Sequence, residues 1–305
     1  MGFVATTAPW FKAARPRTLP LSVSGVLIGT GLANYYGEND LLIFILSLLT
    51  TVAFQVTSNL ANDYGDGVKG TDNADRIGPA RALQSGLISR QRLKRGIWIS
   101  VIIDILLVVA LIYTAFRPQN VLFAGIFLLL GAASIWAAIK YTIGTSAYGY
   151  RGLGDLFVFI FFGWVAVLGA MFLHTGYITA SALLPATAVG LLSVGVLNLN
   201  NLRDSASDEK AGKRTLVVLL GFEKGKIYHY FLLVVAFCCL LLFQILFFTG
   251  WRLLLPLLAF VPIFHHLITV YSTRNPESID PELKKLALST FFLSVLVYIN
   301  CNNFL

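Results

Sequence analysis

Nine stretches of the chain are apolar for about the length a helix needs to cross a bilayer, and that repetition limits the fold more than any motif does. They run over roughly 19–36, 41–61, 97–115, 121–140, 155–173, 181–201, 228–248, 252–272 and 285–304. In hydrocarbon every backbone N–H and C=O must be paired inside the protein, which leaves helices or closed barrels. The runs are continuous and lack period-two alternation, so barrel strands are excluded. Composition agrees, with 57% of residues hydrophobic and 12% charged, where soluble domains carry about a quarter charged residues. The same figures exclude disorder. Three cysteines, two of them adjacent, form neither a disulfide framework nor a zinc spacing. The expected fold is all-α integral membrane, nine transmembrane helices in a single domain over 1–305.

Lys and Arg accumulate on the cytoplasmic side of a bilayer. With the N-terminus placed there, 21 of the 23 basic residues fall in cytoplasmic segments, and Arg117 and Arg252 fall outside. The expected topology is N-terminus cytoplasmic and C-terminus periplasmic. No apolar h-region precedes Leu19, so no cleavable signal peptide is expected. The net charge of +8 is a sidedness signal of this kind, and no nucleic-acid partner is expected.

Two cytoplasmic connections are long, 62–96 and 202–227, and they hold eight of the fifteen acids. Each begins inside an apolar helix and runs out through Asn and Asp. Asn59, Asn62, Asp63 and Asp66 are spaced i, i+3, i+4 and i+7, which is one helix face. Asn201, Asp204 and Asp208 are spaced i, i+3 and i+7, with Asn200 four residues before Asp204. Singly, each residue reads as a solvated helix end or an Asn cap. As two copies on one side of the membrane they place four carboxylates at the negative ends of two helix dipoles, where they repel. A cation between them relieves that repulsion. Hard oxygen donors without His or Cys suit Mg²⁺, which takes one or two carboxylates and fills its shell with water and phosphate. Lys69, Arg76 and Arg81 in the first stretch, with Arg203, Lys210, Lys213 and Arg214 in the second, suit the charge of a diphosphate.

Tyr148, Tyr150, Arg151 and Asp155 stand at the entry to the fifth run, placed to cap a site or to position an aromatic acid. Asp104 lies about two turns inside the third run, where an acid is functional by default, and no partner for it is visible in sequence. His174, His229, His265 and His266 form no ligand pattern and read as interface residues.

At the two acidic elements the chain resembles the UbiA superfamily of intramembrane prenyltransferases, whose marks are NDxxDxxxD and DxxxD. The first reads Asn62-Asp63-Tyr-Gly-Asp66-Gly-Val-Lys-Gly70, so glycine replaces its last Asp and Asp72 follows two residues on; the second is intact from Asp204 to Asp208. A YxxxK element of the superfamily reads Tyr141 to Thr145 and lacks its lysine, which argues against the hydroxybenzoate branch. The segments ARPRTLPLS, SNLANDYGDGVKGTDNADRIGP, YGYRGLGDLFVFIFFGW and VLNLNNLRDSASDEKAGKRTLVV resemble the menaquinone-making branch nearly end to end.

The resemblance implies helices around a membrane-embedded central cavity in a bacterial inner membrane, with a Mg²⁺–diphosphate site at its cytoplasmic mouth. It implies Asp63, Asp66, Asp204 and Asp208 as catalytic metal ligands, joined by Asn62. Substrate contacts are then expected from Asn59, Asn62, Lys69, Arg76, Arg81, Tyr148, Arg151, Asn200, Asn201, Arg203 and Lys213. The implied reaction moves a polyprenyl group from its diphosphate to 1,4-dihydroxy-2-naphthoate, with loss of CO₂ and diphosphate. Arg15, Arg17 and Arg151 stand on the side that would hold the acceptor carboxylate, with Arg17 favoured beside Pro20 at the mouth of the first run. Two alternatives remain, a hydroxybenzoate acceptor and, from another class, a secondary transporter. A transporter suits repeated polar elements but places them near the midplane, whereas these acids collect at one face.

Overall fold

The computed structural model describes residues 2–71, 77–78, 81–116 and 120–302, with backbone alone for 2–6. Asp72, Arg76 and Arg117 lie outside the described residues. All regular structure among the described residues is helical. A short helix, α1 (Gly2–Ala14), precedes the first apolar run and was not expected. The nine runs follow as α2 (Leu19–Tyr35), α3 (Leu41–Lys69), α4 (Arg90–Ala115), α5 (Val121–Lys140), α6 (Gly154–Thr175), α7 (Leu183–Lys210), α8 (Phe222–Phe247), α9 (Trp251–Ser272) and α10 (Asp280–Cys301). Among the described residues seven helices, α3 to α9, are long and apolar enough to cross a membrane. The other two expected runs are the 17-residue α2 and the 22-residue α10, whose first two turns carry Asp280, Glu282, Lys284 and Lys285. The outward face of α4 exposes Trp98, Ile102, Leu106, Val109 and Tyr113, as a surface meeting acyl chains does.

The acids lie on regular helix, because α3 and α7 run on past their apolar stretches. No proline interrupts 58–69, so α3 continues through Asn62, Asp63 and Asp66 until Gly70 stops it at φ 74°. That left-handed turn ends a helix at little cost only where there is no Cβ. The position at which the family pattern carries a third Asp is here the helix stop.

Packing is uneven between the two sides of the bundle. The main apolar core gathers Ile28 and Leu32 of α2 with Leu192 and Leu199 of α7, Leu233 and Leu240 of α8, Ile263 of α9 and Leu293 of α10. On the other side α2, α3, α4, α5 and α6 surround a cavity. Within α6, Phe159–Val165 widens to π-helix, a local expansion often found at working sites. Gly163 at its centre presses on the backbone of α7, where a Cβ would strike the Ala186 carbonyl and Gly190. Phe161, Phe162 and Val165 of the widened stretch line the cavity.

Candidate active site

The two acidic helix ends meet through a tyrosine between them. Tyr150, in the turn Tyr148–Tyr150 before α6, donates its phenol proton to Asp66 Oδ1 at 2.7 Å. Lys69 Nζ lies 3.7 Å from the centre of the same ring and Lys213 Nζ 5.7 Å, so cations from both ends face one aromatic ring. The Tyr150 hydroxyl also meets Thr71 Oγ1 at 2.5 Å, and its carbonyl accepts from the Arg214 amide at 3.2 Å. Burial and the negative charge of Asp66 hold the Tyr150 phenol well above its ordinary range, so it stays a donor.

The four carboxylates are matched with donors of the chain. Asp66 Oδ2 pairs with Arg81 Nη1 at 2.7 Å, and the same guanidinium donates to the Asn62 carbonyl at 3.0 Å. Asp63 accepts the amides of Ala82 and Leu83, at 3.1 and 3.3 Å, and so holds the turn that delivers Arg81. Asp208 pairs with Lys213 at 3.3 Å. Asp204 is gripped by both forks of Arg203, at 2.8 and 2.6 Å. Arg203 continues to Asp280 of α10 at 2.5 Å and to Asn200 at 2.8 Å.

Each of the four carboxylates is thus held by donors of the chain itself. Among the described residues no three acidic, His or Cys side chains stand together as a metal cage. The donor set nevertheless fits a hard cation. Asn62 Oδ1, Asn201 Oδ1 and Asp208 Oδ2 are buried oxygens with no hydrogen bond. Mg²⁺ commonly takes few protein ligands and completes its shell with water and substrate phosphate.

Two cavities border this face of α3. One, of about 340 Å³, is lined mostly by apolar side chains including Val26, Phe54, Phe127, Phe161 and Phe162, and it reaches Asn59 and Asn62. The other, of about 390 Å³, is lined by Lys12, Arg15, Arg17 and Arg81 together with Asp63. Its rim depends on the chain between α1 and α2, where Arg15 takes a left-handed backbone at φ 52°. Asn59 pins that turn, donating to the Ala14 carbonyl at 2.8 Å and to Thr18 Oγ1 at 3.2 Å. Arg17 lines the basic cavity together with Arg15 and Lys12.

Other expectations fare differently. Tyr148 is buried, donates to the Ala137 carbonyl at 2.8 Å and stacks on Phe157 at 4.0 Å, so it serves as cavity wall while Tyr150 reaches the acids. Arg151 is exposed and lines neither cavity. Asn200 orients Arg203. Asp104 has a partner after all, accepting from Thr57 at 2.7 Å between α4 and α3. His229 and His266 are fully buried, bonded to each other at 2.9 Å and onward to Glu282 at 2.6 Å, so the interface reading of these two is wrong. Sequence reasoning missed Gln55 and Asn198, one turn deeper on the two acidic faces. Both side-chain polar atoms of Asn198 are buried without a hydrogen bond. Continuing the spacing backwards, from Asn59 to Gln55 and from Asn201 to Asn198, was the available signal.

The chain belongs to the UbiA prenyltransferase family, whose model matches residues 22–296. It is 47% identical over 242 residues to the 1,4-dihydroxy-2-naphthoate octaprenyltransferase of Escherichia coli (strain K12), covering 79% of this chain and 78% of that one. The protein of the same description from Haemophilus influenzae is 43% identical over 290 residues, covering 94% and 93%. In fold the chain is similar to a UbiA homolog from Archaeoglobus fulgidus solved with GPP and Mg²⁺, with a TM-score of 0.65 at 13% identity, covering 94% of this chain and 99% of that one.

Proposed function

We propose that this chain transfers a polyprenyl group from polyprenyl diphosphate to 1,4-dihydroxy-2-naphthoate, releasing diphosphate and CO₂ and giving demethylmenaquinol. The relatives described above support the acceptor. The observation that carries the reading is the position of the Asn59–Asp66 face, with an apolar cavity on one side and a basic one on the other. We place the protein in a bacterial inner membrane as one domain over 1–305, crossing nine times with its N-terminus cytoplasmic and its C-terminus periplasmic.

Asp63, Asp66, Asp204, Asp208 and Asn62 are the residues that would hold Mg²⁺, which when bound supplies Lewis-acid charge to the diphosphate. Arg81, Lys69 and Lys213 neutralise the remaining phosphate charge as the allylic C–O bond breaks and its electron pair leaves with the diphosphate. Tyr150 fixes Asp66 and presents its ring to both lysines. The apolar walls from Phe54, Phe127, Phe161 and Phe162 keep water from the allylic cation. At about 340 Å³ the cavity suits the ring and the reacting end of the chain, with the tail passing on between helices into lipid. Arg15 and Arg17 hold the acceptor carboxylate. The ring carbon bearing that carboxylate forms the new C–C bond, and departure of CO₂ returns its bonding pair to the ring. Aromaticity is restored without a general base.

Purified protein in detergent, given polyprenyl diphosphate and carboxyl-labelled 1,4-dihydroxy-2-naphthoate, should release labelled CO₂ and diphosphate together. Chelation should stop both, and Mg²⁺ should restore both. In a parallel assay with carboxyl-labelled 4-hydroxybenzoate, label kept in the prenylated product, with none released from the naphthoate, would establish the other acceptor. Absence of diphosphate release from either acid would favour a transporter.

A further inference from the structure

Gln55 lies on the cavity wall, one turn deeper than Asn59, and the site described above leaves it without a role. A backbone carbonyl fixes the polarity of its hydrogen bonds. Asn59 Nδ2 donates to the Ala14 carbonyl, an atom that can only accept. Asn59 Oδ1 is therefore the atom turned to Gln55, and it accepts from Gln55 Nε2 at 3.1 Å. Gln55 Oε1 is left as an acceptor. Elsewhere on the same cavity wall, Ser22, Thr50 and Ser134 donate their hydroxyls to carbonyls of their own helices.

We propose that Gln55 is a specificity-determining residue, whose Oε1 accepts a hydrogen bond from the acceptor hydroxyl remote from the carboxylate. This rests on the naphthoate reading of the site. In 1,4-dihydroxy-2-naphthoate the 1-hydroxyl adjoins the carboxylate and bonds to it internally. The 4-hydroxyl has no such partner, and entering a dry cavity unpaired would cost it the desolvation of a donor. An amide oxygen already oriented by Asn59 meets it without reorganisation. The string from Gln55 through Asn59 to Ala14 and Thr18 also ends beside Arg15 and Arg17. One set of hydrogen bonds thus spaces the carboxylate end of the acceptor against its hydroxyl end. Because the 4-hydroxyl is meta to the attacked carbon, its bond to Gln55 orients the ring and supplies no electron density to the reaction.

The test compares two acceptors, 1,4-dihydroxy-2-naphthoate and 1-hydroxy-2-naphthoate, in the wild-type protein and in Gln55→Met. Wild type should prefer the dihydroxy acid in kcat/KM by roughly tenfold, the scale of one hydrogen bond to a buried donor. In Gln55→Met that ratio should fall to near one, with KM for polyprenyl diphosphate unchanged. The ratio is taken within each protein, so a partly misfolded fraction does not alter it. If Gln55→Met does not accumulate, Gln55→Ala carries the same expectation. A ratio equal to that of wild type overturns the proposal, as does a wild type that treats the two acids alike. Failure of wild type to prenylate either naphthoate, with 4-hydroxybenzoate prenylated instead, removes the functional reading on which the proposal rests.

Discussion

Asp66 has each of its oxygens held by a different part of the chain, Tyr150 on one and Arg81 on the other. A buried ion pair adds little net stability, since desolvation offsets attraction, yet removing one partner costs about 3–5 kcal/mol because the other charge stays buried. Arg81→Ala is therefore expected to lower Tm in detergent markedly. Asp66→Asn keeps a polar group in place and removes the charge; it should cut turnover by roughly 10²-fold or more while the protein still folds. Diphosphate release per folded molecule checks this, and near-wild-type turnover would take Asp66 out of the chemistry. Tyr150 supplies a prediction on pH. Its phenol is held above the ordinary value of about 10 by burial and by Asp66. Folded protein therefore keeps a proton that the unfolded chain loses, and stability falls as pH rises past that value. Wild type should lose Tm more steeply than Tyr150→Phe above about pH 10. Below that, the alkaline side of the pH–rate profile should coincide in the two.

At the scale of elements, the packing of α6 on α7 is the most exposed to test. Gly163→Ala brings a methyl group against the backbone of α7, where nothing flexible can give way. It should destabilise by about 1–3 kcal/mol and raise KM for polyprenyl diphosphate by displacing Phe161 and Phe162. Gly169→Ala, on the same helix, has its nearest neighbour at 3.9 Å and should fall within about 0.5 kcal/mol of wild type. Melting curves and Michaelis constants of the pair separate crowding at one contact from a general intolerance of α6. Helices were the most legible part of the sequence, because lipid sets their length and 3.6-residue spacing exposes their faces. The acidic faces of α3 and α7 were legible for the same reason. What escaped were contacts made across long stretches of chain. Arg81 was visible as a cation near Asp66, but nothing local showed that Asp63 holds its turn through the amides of Ala82 and Leu83. His229, His266 and Glu282 come from three helices, and each alone looks like an interfacial residue. The spacing carried the first acidic helix as far as Asp66, and only its stop at Gly70 went unread.

For the whole molecule, orientation is the prediction that everything else depends on. In a background with Cys238, Cys239 and Cys301 replaced by serine, Glu38→Cys and Ser278→Cys mark the connections α2–α3 and α9–α10. The basic-residue bias predicts the first on the periplasmic side and the second on the cytoplasmic side. A membrane-impermeant thiol reagent on intact cells should label Glu38→Cys alone, with Ser278→Cys reacting after lysis. The reverse pattern would turn the site to the periplasm. The uneven packing of the bundle also bears on how a substrate would be received. The main filled core joins α2 and α6 to α7–α10, while α2–α6 surround the cavity, so α2 and α6 border both. A substrate end entering the cavity would fill space already present, while Asp204 and Asp208 stand on α7, a helix the filled core holds in place.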